Sequence, residues 1–500
     1  MNLHSGCSPL SYLQRALFDR MVVQMGADRI ARAAGCYVVL IGLIGMVGGC
    51  GSKVKLDPKP VIYKPGRFEL AEMVPTAQRT PDFHVFYATN RVAKGPADKR
   101  EYTNGVYDGL RLGVANVSMG SNGESWDEIN THNTTFDVTS FHELARLKGP
   151  ATSQPSADAD SAFVKAVNEQ LAVSPNKQVN IYVHGFRTDM KWECGILAKL
   201  FHLSGRRGAM VCFAWPSRQS LMLYGGDVNR ARESAPRLVQ LIELLARQTD
   251  AERINLLAYS CGAPMVTDAM VQLRARYPED DAAAIAKRFR IGNVIFAASD
   301  IDLKTFVKGQ LQQIRDLADH VVIYIADNDG ALGLAKLGYG ASRVGRPNLK
   351  ELEVTQADLD RFAKDEELQV VDVTDVPGPH AVGGGFGGHG YWYANDWIMT
   401  DLLVTFRWQI PAEDRGLVRR AGKARWYFPK DYPEKITAAL RRRLGESTTA
   451  PTTAASAQTG PAGTAAGEPL NSSPSQSAMP EPDTIAGGIA PPRTTVQLQR

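Results

Sequence analysis

Apolar residues in the middle of the chain follow two alternating patterns. Short, near-continuous runs rich in β-branched and aromatic residues recur at 83–88, 110–117, 178–183, 209–215, 254–258, 290–297, 320–325 and 368–373. Between most of them lie stretches with apolar positions at helical spacing, such as 192–203, 228–247, 263–277 and 303–317. Strands apolar on both faces and separated by helices predict an α/β fold with a mostly parallel, doubly wound sheet. The first strands lack intervening helices and are expected as an antiparallel N-terminal edge. In such sheets chemistry sits beyond the carboxyl ends of the strands. The residues that follow each strand therefore matter most.

The two ends follow other patterns. An apolar run over 33–47 is preceded by Arg29 and Arg32 and followed by Gly48-Gly49-Cys50. A basic segment, an apolar core and small residues before a cleavage point describe a secretory signal. The run is shorter than the ~20 residues a spanning helix needs, which disfavours the alternative of a retained signal anchor. Val47-Gly48-Gly49-Cys50 resembles the lipobox of bacterial lipoproteins, which implies acylation of Cys50 and a place in the cell envelope. Met21 or Met25 is a plausible start for such a signal. Gly51 is not aspartate, so the usual retention rule of lipoproteins points to the outer membrane rather than the inner. Residues 51–80, with Pro58, Pro60, Pro65 and Pro75, read as a tether. Residues 81–410 form the expected catalytic domain and 411–445 a basic helical extension. The segment 446–500 is low in large apolar residues and reads as a disordered tail.

After the strand at 254–258 comes Ala258-Tyr259-Ser260-Cys261-Gly262, close to Gly-x-Ser-x-Gly. That pattern is a nucleophile elbow, a strand-to-helix turn tight enough to demand small residues two positions either side of the serine. A serine that merely caps a helix would look the same in isolation. The strand at 178–183 ends in His184-Gly185-Phe186. An oxyanion hole takes one N–H from the residue after the nucleophile and one from the earlier loop, which here are those of Cys261 and Phe186.

The acid and base should follow in the order Ser, Asp, His. Asp327 and Asp329 follow the strand at 320–325, while Asp300 and Asp302 follow the one before. Any of them could simply cap a helix or close a turn; Asp329 is favoured, with Asp300 and Asp327 as alternatives. Of the histidines after the last strand, His389 lies in Gly387-Gly388-His389-Gly390-Tyr391 before a helical stretch at 393–406, and is favoured over His380.

Several strings resemble a bacterial α/β-hydrolase family catalogued as domain of unknown function nine hundred. They include Val85-Phe86-Tyr87-Ala88-Thr89-Asn90-Arg91, Val183-His184-Gly185-Phe186, Phe213-Ala214-Trp215-Pro216-Ser217 and Ala298-Ser299-Asp300-Ile301-Asp302. Asn328-Asp329-Gly330-Ala331-Leu332 and Gly388-His389-Gly390-Tyr391 complete the set. The resemblance spans about 83–408 and implies the α/β-hydrolase fold and an esterase- or lipase-like activity. It also implies Ser260 as nucleophile, Asp329 as acid and His389 as base. The elbow departs from the family, which has His-Ser-Met-Gly where this chain has Tyr259-Ser260-Cys261-Gly262. That change bears on the pocket beside the serine rather than on the serine itself.

Composition narrows the partners. Fifty-seven Lys and Arg against 53 Asp and Glu leave a net charge of +4, too balanced for a dedicated nucleic-acid binder. Six cysteines without a Cys-x-x-Cys pair make neither a disulfide scaffold nor a structural zinc site. With Cys7, Cys36 and Cys50 assigned to the signal and anchor, Cys194, Cys212 and Cys261 remain, and Cys261 is expected to stay free. Trp215 is read as packing the sheet, and the basic run at 419–425 as a solvated helix face. The sequence thus points to a membrane-anchored serine hydrolase of small ester or lipid substrates. No metal or organic cofactor is implied. A catalytically silent binding or scaffold module on the same fold is the alternative.

Overall fold

The computed structural model describes residues 53–445, apart from 122, 132–133, 150–156, 219, 221–222, 353–363, 380–385 and 421–423. The expected signal with Cys50, the tail at 446–500 and His380 lie outside the described residues.

Twelve strands form one sheet. They are β1 (Val54–Lys55), β2 (Asp82–Lys94), β3 (Glu101–Met119), β4 (Thr135–Lys148), β5 (Gln178–Val183) and β6 (Ala209–Phe213). Then come β7 (Arg253–Tyr259), β8 (Ile291–Ala297), β9 (Ala318–Ile325), β10 (Leu368–Asp372), β11 (Val418–Arg419) and β12 (Trp426–Tyr427). Their order is β1-β4-β3-β2-β6-β5-β7-β8-β9-β10-β12-β11. From β2 through β6, β5, β7, β8, β9 and β10 to β12 every pairing is parallel. β2, β3, β4 and β1 make the antiparallel edge.

The longer helices are α1 (Ala157–Ala172), α2 (Met190–Leu203), α3 (Tyr224–Glu233), α4 (Ala235–Gln248) and α5 (Gly262–Ala275). They continue with α6 (Ala282–Phe289), α7 (Gly330–Tyr339), α8 (Asp396–Trp408) and α9 (Tyr432–Leu444). Side chains alternate along each strand, so both faces of the sheet are apolar. Tyr182, Leu257 and Ile295 pack with Leu200 of α2 and Leu402 of α8. Val183, Leu256 and Phe296 pack on the other face with Ile242 of α4 and Met270 of α5. This is the doubly wound sheet expected from the apolar runs.

Four differences from the sequence reading have physical reasons. Residues 53–80 are no tether. β1 pairs with β4, and Leu56, Val61, Ile62, Tyr63, Phe68, Leu70 and Val74 are all buried. The Val61 N–H donates to Thr400 Oγ1 at 2.7 Å and the Tyr63 hydroxyl to the Leu203 carbonyl at 2.6 Å. The prolines interrupt regular structure, yet the apolar residues between them find a core. The 411–445 segment, likewise, is no separate extension: β11 and β12 extend the sheet, and α9 buries Tyr432, Ile436 and Leu440. Arg419 and Arg420 sit in and beside β11, stacked on Trp426 and Tyr427, rather than on a solvated helix. The helix expected over 228–247 is two, broken at Ser234, where Pro236 in the first turn of α4 cannot continue an N–H ladder. The helix expected over 303–317 is interrupted by a π-turn at Phe306–Gln310.

Candidate active site

β7 ends at Tyr259 and α5 begins at Gly262, so two residues reverse the chain. Ser260 adopts φ +51°, a left-handed conformation that strains any residue with a Cβ. Its backbone is held on both sides. The Ser260 N–H donates to Ala297 O at 3.1 Å, and Ser260 O accepts from Ala263 N–H at 3.0 Å and Asp300 N–H at 3.3 Å. A Cβ on Gly262 would lie 2.5 Å from the His184 carbonyl oxygen, which explains glycine there. On the other side, Ala258 fits fully buried. This is the elbow geometry, with the serine side chain lifted off the strand.

The structure brings Ser260, His389 and Asp329 together. Ser260 Oγ lies 2.7 Å from His389 Nε2, and His389 Nδ1 lies 2.8 Å from Asp329 Oδ2. All three are buried. A carboxylate at Nδ1 fixes the proton there and leaves Nε2 to accept from the serine hydroxyl. Asp329 also caps α7, its Oδ1 accepting from Leu332 N–H at 3.0 Å. The helix cap and the partner of a histidine are thus one carboxylate, each role using a different oxygen. Arg346 donates to the Asp329 carbonyl at 2.8 Å.

His389 is delivered by a glycine loop. Gly387 and Gly388 have φ +56° and +82°. A Cβ on Gly387 would lie 2.5 Å from Gly330 Cα, at the start of α7, so the loop docks directly on the helix that Asp329 caps. Tyr259 packs against the imidazole with ring centroids 5.4 Å apart. Burial works to hold the His389 pKa down, but the charge and hydrogen bond of Asp329, with Asp300 adding to them, raise it above the ordinary imidazole value.

Gly185 follows β5 and approaches the elbow so closely that a Cβ would sit 3.1 Å from Ser260 Cβ. Among the described residues, the backbone N–H groups of Phe186 and Cys261 have no acceptor. Two free donors flanking a serine are what an oxyanion hole requires. His184 braces this loop from beneath. Its ring stacks on Trp215 at 5.1 Å, Nδ1 lies 2.9 Å from Thr188 Oγ1, and Nε2 lies 3.1 Å from the Trp215 carbonyl. Burial, with the nearby Arg91 charge, lowers the His184 pKa to about 3, so it stays neutral. Trp215 is fully buried and donates its indole N–H to His184 O at 2.8 Å, a packing role.

The alternative acids are elsewhere. Asp327 is exposed and lies 3.5 Å from Arg425. Asp300 is buried behind the elbow, where it accepts from the Tyr224 hydroxyl and pairs with Arg343 at 3.1 Å. Burial raises its pKa, with Arg343 and Tyr224 working against that rise. Asp302 caps the short helix at Leu303–Thr305. Cys261 is free and buried, as are Cys194 and Cys212. Burial pushes the Cys261 thiol well up, which keeps it protonated beside Ser260. Tyr224 and Arg343 were not anticipated. They come from α3 and the loop after α7, far from Asp300 in sequence and without a motif that would signal the contact. Among the described residues no three His, Cys, Asp or Glu side chains converge as a metal site.

No curated protein matches the chain. One similar solved structure is that of a protein described as a cell surface hydrolase from Lactobacillus plantarum WCFS1. It is 10% identical, with 47% of this chain and 98% of that one covered at a TM-score of 0.26, too remote to support any argument. A family model is more informative. Residues 159–406, which hold the elbow, Asp329 and His389, match the alpha/beta hydrolase family of unknown function (DUF900), and it is this family that the chain resembles.

Proposed function

We propose that this hydrolase acts on carboxylic esters through an acyl-enzyme formed on Ser260. The observation that carries this reading is the hydrogen-bonded series from Ser260 Oγ through His389 to Asp329, with the Phe186 and Cys261 N–H groups unoccupied beside it. Ser260 Oγ attacks the ester carbonyl while its proton passes to His389 Nε2. Asp329 holds the imidazole and stabilises the imidazolium that forms. The two N–H groups receive the negative charge that builds on the carbonyl oxygen. As the tetrahedral adduct collapses, the C–O bond to the leaving group breaks and His389 returns the proton to the departing alcohol. Water, deprotonated by the same nitrogen, then attacks the acyl carbon, and the carboxylic acid leaves as Ser260 regains its proton. In the same reading Cys50 is acylated and holds the enzyme on the envelope membrane, most simply the outer one.

Labelling by a fluorophosphonate tests this directly. Ser260 should be the modified residue, and Ser260→Ala should abolish both labelling and hydrolysis of p-nitrophenyl esters. Full activity in Ser260→Ala on every ester tried would leave a binding or scaffold module in place of the enzyme.

A further inference from the structure

Where β5 and β6 begin, at the end of the strands opposite Ser260, two arginines meet no acid. Arg207 lies on the loop between α2 and β6, and Arg407 on the last turn of α8. Both residues are half-buried, yet Arg207 Nε and Arg407 Nε and Nη1 are shut off from solvent and have no hydrogen-bond partner. Among the described residues neither forms an ion pair. Arg206, one position away, is the contrast. Its Nη1 donates to the Gln78 and Thr80 carbonyls at 2.8 Å each, and its Nε to His202 Nδ1 at 3.3 Å. The Arg407 guanidinium lies 4.0 Å from the centroid of the Trp408 ring, a contact that uses its face and leaves its N–H edge free.

Neither cation is needed at a helix end. Basic groups near a helix C-terminus usually answer its last carbonyls, but here other donors reach them. In α2, Leu200 O accepts from Ser204 N–H at 2.9 Å and Phe201 O from Arg206 N–H at 2.8 Å. His202 O accepts from Gly205 N–H at 2.9 Å, and Leu203 O from the Tyr63 hydroxyl at 2.6 Å. In α8, Val404 O accepts from Gln409 N–H at 3.2 Å, while the amides of Asn293 and Asn255 reach Thr405 O and Phe406 O at 3.3 and 3.4 Å.

Arg207 and Arg407 line one hollow of about 10 Å³, room for the centre of a single water-sized sphere. No Asp or Glu lines it, and Met210 and Phe406 give it an apolar floor. Asn180, in the same lining, is 3% exposed, and its Oδ1 accepts from Asn255 Nδ2 at 2.8 Å. Its own amide nitrogen is therefore the group left for the hollow, and a Cβ on Gly208 beside it would lie 3.7 Å from that nitrogen. Burial lowers the Arg407 pKa to about 10, with the Tyr63 hydroxyl opposing that fall and the Arg207 charge adding to it. Two like charges in a poorly hydrated hollow repel, and an anion between them offsets both the repulsion and the lost hydration.

We propose that Arg207, Arg407 and Asn180 bind a monatomic anion, chloride, which ties the last turn of α8 to the loop before β6. The hollow admits a sphere little larger than water and is too small for a whole phosphate or sulfate. Its apolar floor suits a weakly hydrated halide. The site is separate from Ser260 and does not depend on the ester-hydrolase reading.

Thermal unfolding of the full-length chain in sodium chloride and in sodium acetate, at equal ionic strength, tests this. Binding to the folded state should raise Tm in chloride by about 2 °C or more, and bromide should act like chloride. Arg207→Gln and Arg407→Gln should each remove the difference between the salts. Each variant is compared with itself, so a lower baseline stability does not enter. Arg442→Gln, at an exposed position on α9, should keep the difference. Crystals grown in bromide give a readout that needs no variant, an anomalous-scattering peak between Arg207 and Arg407. Equal Tm in the two salts, a difference that survives in both variants, or no peak at that place overturns the proposal. A preference for sulfate that the same two variants abolish overturns the assignment to a monatomic ion.

Discussion

Asp329 gives one carboxylate oxygen to the Leu332 N–H and the other to His389 Nδ1, so its charge and its capping role can be separated. Asp329→Asn retains an acceptor for the cap but loses the carboxylate that fixes the imidazole tautomer. It should lower kcat about 10³- to 10⁴-fold with little change in melting temperature. Ser260→Ala and His389→Ala should each cost roughly 10⁴-fold or more, and the double variant should resemble either single one, because nucleophile and base act as a unit. Asp300 is the informative contrast. It does not touch His389, yet its charge helps to raise the His389 pKa. His389 must be neutral to accept the serine proton, so kcat/KM should rise with pH through a midpoint above the ordinary imidazole value and level off beyond it. Asp300→Asn removes one of the charges that favour imidazolium. The midpoint should therefore move to lower pH, while the plateau rate falls far less than in Asp329→Asn. A full pH–rate profile of both variants decides this. If Asp300→Asn is the crippling change and Asp329→Asn is mild, the acid has been misassigned.

The loop that carries His389 depends on close backbone contact with α7, and here one methyl group is enough to test the geometry. Gly387→Ala places a Cβ 2.5 Å from Gly330 Cα at a residue with φ +56°. The strain should lower stability by about 1–3 kcal/mol, read as a shift in the denaturation midpoint. It should also reduce kcat by displacing the imidazole. Stability and activity should fall together, unlike Asp329→Asn, where only activity falls. Such contacts explain which parts of the fold could be read from the sequence. β5, β7, β8 and β9 are buried on both faces, so their apolar runs are nearly continuous, broken inside the sheet by Asn180, Asn255 and Asn293. Each side chain of the candidate site follows such a strand, or a glycine cluster that has few other uses, which is why the sequence pointed to it. β4 escaped because it buries only one side at a time and that side changes along the strand: Phe136, Val138 and Phe141 join one core cluster, Ala145 and Leu147 the other, and polar residues alternate with them. The break at Ser234 was hidden because the apolar period continues across it, although Pro236 was a signal. Tyr224 and Arg343 reach Asp300 by tertiary packing alone, which no local pattern encodes.

The N-terminal segment links the proposed anchor to the catalytic fold, and its two ends call for opposite experiments. Cys50→Ser should leave the chain unlipidated or unprocessed, so that it no longer partitions into detergent like the parent, while the folded part keeps its ester activity. Residues 53–80 are different, because their composition suggests a spacer and their packing does not. Ile62 is fully buried and belongs to the core cluster of α2 and α8, and the neighbouring Val61 N–H donates to Thr400 on α8. If these residues were a tether, Ile62→Ala would have no effect on denaturation. Packed as they are, the change removes buried methyl groups and leaves a cavity between the segment and α8. It should cost about 2–5 kcal/mol. The loss should appear in urea denaturation of the whole chain as a lower midpoint at unchanged slope, because the same surface is exposed on unfolding. A second, earlier transition would instead mean that 53–80 detaches independently and only decorates the hydrolase core. Ester activity of the folded variant should remain near that of the parent, since Ile62 contacts none of Ser260, Asp329 or His389. A single transition at lower denaturant with activity retained would show that the catalytic fold begins within a few residues of Cys50.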